Sequence, residues 1–305
     1  MAALNYATEY SRALAQAFPY ALYFGALYNT PNNNTYRWIN SKTIEIPTIS
    51  TSGRVDSDRD TIATAQRNYD NNWETKTLSN QRKWSTLVHP MDIDQTNLVT
   101  TIANITKVFN EEQKFPEMDA YTVSKIFTDW DALTTTEADT TVITAQNALS
   151  VFDQLMLKMD NERVPVNGRI LYTTNEVKYI LKESEKITRS IDVTDNNNKI
   201  NRIVNRLDEV EIIAVPANLM MTKYDFSNGW APAVGARQIN MFLVHPSAVI
   251  TPVSYTFSQL DEPSAGSEGK YIYFEESFED AFILNKKAGA IQFNVSDGAV
   301  VTTTE

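Results

Sequence analysis

Residues 42–60 read KTIEIPTISTSGRVDSDRD, and two patterns meet inside them. In the first half, Ile44, Ile46 and Ile49 are spaced as in a strand, and Pro47 confines that strand to a sheet edge or a bend because it has no N–H to give to a neighbour. In the second half, Asp56, Asp58 and Asp60 fall at alternate positions, interspersed with Arg54 and Arg59 and followed by Arg67. The trio does not make an EF-hand. That loop needs Gly at its sixth position and Glu at its twelfth, and counting from Asp56 these are Thr61 and Arg67. The arginines supply the counter-charge a cation would otherwise bring. A solvated or partner-facing loop is the expectation, with no metal.

The chain beyond the loop extends this reading. Residues 73–90, WETKTLSNQRKWSTLVHP, again alternate polar and apolar side chains. Two edge-like strands joined by a long, charged, hydrophobe-poor connection make an extended hairpin with little to pack on in its own chain. Connections of that length are functional or disordered. Upstream, Leu4, Tyr10, Leu14 and Phe18 recur on one helical face. No basic segment precedes them, and the apolar run is broken by Pro19 and too short to span a bilayer, so an amphipathic docking helix is expected, with no membrane role.

Downstream, Asp92 or Asp94 can cap a helix with Leu98, Ile102, Ile105 and Phe109 along one stripe. Tyr121, Val123, Ile126 and Trp130 continue it past Pro116, which predicts a long helix with a break near Phe115. A second helix is expected over 140–160, with Val142, Ala145, Leu149, Phe152, Met156 and Met159 on one face. Thr173 and Glu176 have capping-box spacing before a third. Residues 184–208 read as a surface loop, and 209–216 and 239–257 as buried strands. Residues 270–295 read as long strands closed by a turn at Ala288 and Gly289. Strands early and late with helices between give an α+β class rather than regular βαβ alternation.

The search for chemistry is negative. There is no cysteine, so disulfides and thiolate metal sites are excluded. The nine glycines form no phosphate-cradling loop. His89 and His245 each sit in Val-His-Pro, where the proline holds its predecessor extended, and both read as strand-end residues. A net charge of -11 argues against whole-surface nucleic-acid capture, which needs clustered Lys and Arg. No catalytic residue, cofactor or metal is expected.

The order of elements, with the phrases KTIEIPTISTSGRVDSDRD (42–60), HPMDIDQTN (89–97) and FPEMDAYTVSKI (115–126), resembles the major capsid (coat) protein of tailed bacteriophages with the Hong Kong 97-type fold, in particular those of phages of Gram-positive hosts. The resemblance implies an N-terminal arm over 1–40 and an extended hairpin loop over 41–90. It further implies a spine helix and peripheral domain over 91–134, an axial domain over 135–235, and peripheral return strands over 236–305. It implies a homo-oligomer of hexamers and pentamers closing an icosahedral shell around non-specifically held double-stranded DNA. A portal protein and, absent a long acidic coiled N-terminal region, a separate scaffolding protein are the further implied partners. Such a subunit assembles in the host cytoplasm and resides in the virion. Arg54, Asp56, Asp58, Arg59, Asp60 and Arg67 would then make intersubunit contacts that fix register more than they add affinity. Some members of the fold weld subunits through a lysine near the loop tip. Residues 50–72 hold no lysine, and the nearest are Lys42 and Lys76, so non-covalent contacts are expected. An encapsulin-like compartment shares the fold, and a hydrolase built on Asp92 and Asp94 is the more distant alternative.

Overall fold

The computed structural model describes residues 21–54, 56, 60, 67–95, 101–133, 135–184 and 206–299. Its longer strands are β1 (Arg37–Asn40), β2 (Thr43–Thr51), β3 (Tyr69–Thr77), β4 (Gln81–Val88), β5 (Ile170–Thr174), β6 (Val210–Val215), β7 (Arg237–Val244), β8 (Val253–Asp261), β9 (Tyr271–Glu279) and β10 (Ile291–Ala299). The longer helices are α1 (Ile102–Phe109), α2 (Phe115–Asp131), α3 (Ala148–Asn161) and α4 (Asn175–Glu183).

The core is a mixed sheet ordered β10–β7–β5–β6, extended by the short strand Arg206–Leu207. Only β5 and β6 run parallel, and α4 begins the crossover between them. Alternation along each strand serves two cores at once. Tyr172, Phe242, Val244 and Phe293 face one side, where Phe24, Phe127 and Trp130 cover them. Leu171, Met241 and Leu243 face the other, against Phe152, Leu155 and Met159 of α3. Ile239 joins the first side although its parity would send it to the second, because the β7–β10 register shifts between Ile239 and Met241. One extra residue in a ladder reverses the facing of everything before it.

The long helix bends where the proline dictates. Pro116 lies in the first turn of α2, and the preceding Asn110–Lys114 form a π-helical turn that joins α1 to α2. A proline offers no N–H and its ring clashes with the carbonyl four residues back, so the ladder widens there instead of ending.

Several elements differ from the sequence expectation. The stretch 73–90 is two strands, with a break at Leu78–Asn80 that sends β3 into a β1–β2–β3 sheet and β4 into a β8–β9–β4 sheet. Leu78 is buried at the break and turns the chain. The second helix starts at Ala148, not 140. Asn147 closes a turn before it, accepting from the Thr144 N–H at 2.7 Å and donating to the Val142 carbonyl at 2.8 Å, and Val142 is exposed. The cap of α4 is Thr174, the last residue of β5, whose hydroxyl accepts from the Val177 N–H, while Thr173 lies within that buried strand. Ala288 and Gly289 lie in a 3-10 segment, Asn285–Ala290, that carries the chain between two different sheets, so β9 and β10 are not a hairpin. Strand β8 is exposed rather than buried. Asp92 and Asp94 belong to a separate short helix, Pro90–Gln95. Leu4, Tyr10, Leu14, Phe18 and Leu98, and most of the 184–208 loop, lie outside the described residues.

Candidate intersubunit surface

The hairpin of β2 and β3 pairs without a break from Thr43–Thr77 to Thr51–Tyr69, and the Ser52 N–H donates to the Asn68 carbonyl at 3.0 Å just beyond. Strand β1 supports only its base, ending its pairing at Arg37–Glu45. Pro47 therefore sits where β2 has one partner strand, and its missing donor faces the open side. The hairpin has two unlike halves. At the base, Ile44 and Ile46 are buried and Ile44 packs with Leu78, Phe278 and Phe282. Farther out, Ile49, Tyr69 and Trp73 are exposed large apolar side chains, as are Trp38 and Ile39 on β1. A monomeric surface has little reason to gather five of them on one projecting element.

The base is fixed by polar contacts as well. Asp280, buried at the end of β9, accepts from the Ser79 N–H at 2.8 Å and hydroxyl at 3.2 Å through one oxygen. Its other oxygen accepts from the Tyr121 hydroxyl and the Ala281 N–H, each at 2.8 Å. One carboxylate thus joins the strand break, the long helix and the sheet, and burial with the nearby Asp280 charge pushes the Tyr121 hydroxyl up. Beside it, Glu279 is raised above its ordinary value by burial first, with Asp280 and Glu117 adding to the rise against the opposing pull of Lys114. Lys114 pairs with Glu275 at 3.1 Å and Arg82 with Glu117 at 2.5 Å, clamping the helix to the β8–β9–β4 sheet, where Trp84 stacks on Phe109 at 3.9 Å. Along the hairpin itself, Arg37 pairs with Glu45 at 2.7 Å and lies over the Trp73 ring at 4.1 Å. Lys286 donates to the Ile49 carbonyl at 2.8 Å, and Lys76 reaches Asn285 at 3.1 Å.

Of the residues singled out from sequence, Arg54, Asp56, Asp60 and Arg67 lie exposed in the connection between β2 and β3, at the far end from the base. Arg67 donates to the Tyr69 carbonyl at 3.2 Å and stacks over its ring. Asp58 and Arg59 lie outside the described residues. Among the described residues no group of three or more His, Asp or Glu side chains is placed to hold a metal ion. Asp92 and Asp94 are both exposed, so the hydrolase alternative finds no enclosed carboxylate site there. His245 ends β7 with its imidazole satisfied: Nδ1 accepts from the Ser247 N–H and Nε2 meets the Asn167 carbonyl at 3.2 Å, while burial lowers its pKa. His89 Nδ1 accepts from the Met91 N–H. Sequence reasoning missed Asp119 and Asp280, two buried carboxylates that tie separate elements together. Asp119 accepts from the backbone N–H groups of Tyr23 and Phe24, tying the N-terminal segment to α2. An isolated aspartate in a helix or at a strand end carries no sequence signal of its partner.

No protein-family model matches the chain, and no curated protein sequence matches it. Solved structures do. A chain from the asymmetric unit of the bacteriophage PhiM1 mature capsid superposes with a TM-score of 0.64 at 13% identity, over 92% of this chain and 89% of that one. This is a phage-capsid fold. The capsid structure of the cyanophage P-SCSP1u gives a TM-score of 0.61 at 10% identity over 93% and 90% of the two chains. A chain of Mycobacterium phage Che8 gives 0.59 at 12% over 93% and 94%. The likeness to the phage-capsid fold takes in the hairpin, the bent helix and the central sheet together, since it spans more than nine-tenths of this chain.

Proposed function

We propose that this chain is the major capsid protein of a tailed bacteriophage, a non-catalytic subunit of the Hong Kong 97 type that closes into an icosahedral shell around double-stranded DNA. The observation that carries the reading is the hairpin. On a phage-capsid fold, its outer half leaves Ile49, Tyr69 and Trp73 exposed and outside the hydrophobic cluster at its base, touched by Arg37, Arg67 and Lys286 rather than by apolar side chains of that cluster. A second subunit is the natural cover for it, with Arg54, Asp56, Asp60 and Arg67 at the rim of that contact, joined by Asp58 and Arg59 of the same loop. Residues 1–40 serve as an N-terminal arm, 91–134 as spine helix and peripheral domain, 135–235 as axial domain and 236–305 as return strands. The net charge of -11 suits a container that holds DNA without adhering to it. Hexamers and pentamers, a separate scaffolding protein and a portal complete the assembly, which forms in the host cytoplasm and ends in the virion.

The test is electron microscopy of the protein expressed alone and with its scaffold. Closed shells are expected. A 34.5 kDa monomer under every condition, scaffold included, refutes the proposal. Shells filled with folded cargo protein rather than DNA in infected cells turn it toward an encapsulin-like compartment. Shells boiled in SDS should run as one band at subunit mass, because the loop tip has no lysine and Lys76 is engaged within its own subunit by Glu74 at 2.8 Å and by Asn285.

A further inference from the structure

Strand β8 is an unguarded edge. It ends the β8–β9–β4 sheet, pairing only with β9, and among the described residues no strand lies on its outer side. Eight of its nine residues are exposed, including Val253, Tyr255, Phe257 and Leu260. Edges that stay single are protected by lysine, arginine, proline or bulges that spoil pairing with another chain. Two other edges among the described residues follow the rule. Strand β4 carries Arg82 and Lys83, and β3 carries Asp70, Glu74 and Lys76. Strand β8 reads VSYTFSQLD, with no basic residue, no proline, one acid at its last position and one irregularity at its first step. The protection is missing along the central stretch from Tyr255 to Leu260.

We infer that β8 is a pairing edge for β8 of a second copy of this chain, joined antiparallel about a two-fold axis that passes through Thr256 perpendicular to the sheet. The inference rests on the shell reading, since one nine-residue strand buries too little to hold two subunits together unaided. The occupant follows from charge and register. A strand with one terminal acid offers nothing to a charged partner, whereas its own antiparallel copy meets no like charge. With Thr256 on the axis, Ser254 falls opposite Ser258, and Asp261 lies beyond the paired stretch, because Thr251 is buried and hydrogen-bonded inside its own subunit. Tyr255 of one copy meets Phe257 of the other, twice. Tyr255 and Phe257 already stack within one strand at 6.3 Å, and Phe257 lies 6.2 Å from Phe274 on the same face, so the junction would continue an aromatic ladder across both sheets. Aromatic and threonine cross-strand pairs are the stabilising kind.

The absence of cysteine makes a clean test. Thr256→Cys puts the only thiol of each copy on the axis, where directly opposite Cβ atoms lie about 4.5–5.5 Å apart. Ser258→Cys puts it four residues from its mate, roughly 14 Å away along the strand at about 3.4 Å per residue. Both variants are assembled, treated with a bismaleimide spanning about 8 Å at most, and run on a denaturing gel beside micrographs of the same sample. The expected result is a band at twice the subunit mass for Thr256→Cys, at least fivefold stronger than for Ser258→Cys. Shells or oligomers with no such band overturn the strand pairing and leave the shell reading standing. Equal bands, or a Thr256→Cys adduct to a different protein, also overturn the pairing. A doubled band without shells supports the pairing and sinks the shell, and a monomer throughout sinks both.

Discussion

The mixed central sheet and the antiparallel hairpin are both built on regular backbone ladders, yet one is finished and the other is not. In the sheet, β5 is buried at every position, and side chains from two layers close over both faces. In the hairpin, β3 is exposed along seven of its nine residues and is held by little besides its partner strand. Backbone pairing does not account for this, since the hairpin ladder is unbroken while the β7–β10 ladder shifts register. The difference lies in what covers the side chains, and it separates a region that stabilises one subunit from a region whose stability comes from a second.

Breaking the sheet should have the largest effect. Phe293 stacks on Phe242 at 4.6 Å and meets Phe127 and Trp130 edge-on, each at 5.1 Å. Phe293→Ala should cost about 3–5 kcal/mol in denaturant unfolding of the subunit, the range for emptying an aromatic site in a rigid core. A loss below about 1 kcal/mol would mean that the two-faced core is loosely packed and that the contrast drawn here is false.

The boundary between the regions is Asp280. Asp280→Ala leaves the Ser79 and Ala281 N–H groups and the Tyr121 hydroxyl without their acceptor, and should cost on the order of 2–3 kcal/mol. Hydrogen exchange should then rise at the strand break 78–80 while the β5 amides stay protected. Equal loosening in both places would make the base part of the core rather than a hinge.

Glu279 gives a smaller effect of opposite sign. Its folded pKa is raised above the ordinary 4.5, mainly by burial, so the ionised form is the penalised one. Its contribution is therefore fully favourable below the unfolded value and is lost as pH rises through the folded one. Glu279→Gln should melt higher than the parent at pH 7, and the gain should vanish below about pH 4.5. A variant less stable at pH 7 would show that the pull of Lys114 outweighs desolvation.

Much of this division was legible in the sequence, for reasons that can be named. The isolated hairpin showed in 42–60 because its outer half lacks hydrophobes in register with any other element, and the helix break showed in Pro116 because proline acts locally. The break at Leu78 was hidden, since a leucine inside an alternating run looks like any other strand residue until Phe278, two hundred positions away, is seen to bury it. The exposure of β8 was hidden for the matching reason: Val253, Tyr255 and Phe257 alternate as on the buried face of a strand. Helix α3 was drawn eight residues too long because the 140–147 turn is held by the Asn147 side chain, which periodicity does not register. The charged loop residues were found by their pattern, but pattern does not say what they touch.

The smallest expected effect on the subunit is the sharpest test of the comparison. Residues 53–67 lie beyond the last β2–β3 pair and beyond the Ser52–Asn68 hydrogen bond, and none of those described is buried. Replacing them with a short Gly-Ser link removes no buried side chain among the described residues, and loop length enters folding only through a slowly varying closure entropy. Subunit stability should change by less than about 0.5 kcal/mol, as for surface changes generally. Assembly should be lost altogether, because the removed residues include every charged group placed at the rim of the proposed contact. If the shortened chain both folds and closes normal shells, the tip is ornament and the contact must lie on Ile49, Tyr69 and Trp73 alone. If it fails to fold, the outer hairpin belongs to the core after all, and a second subunit is not what completes it.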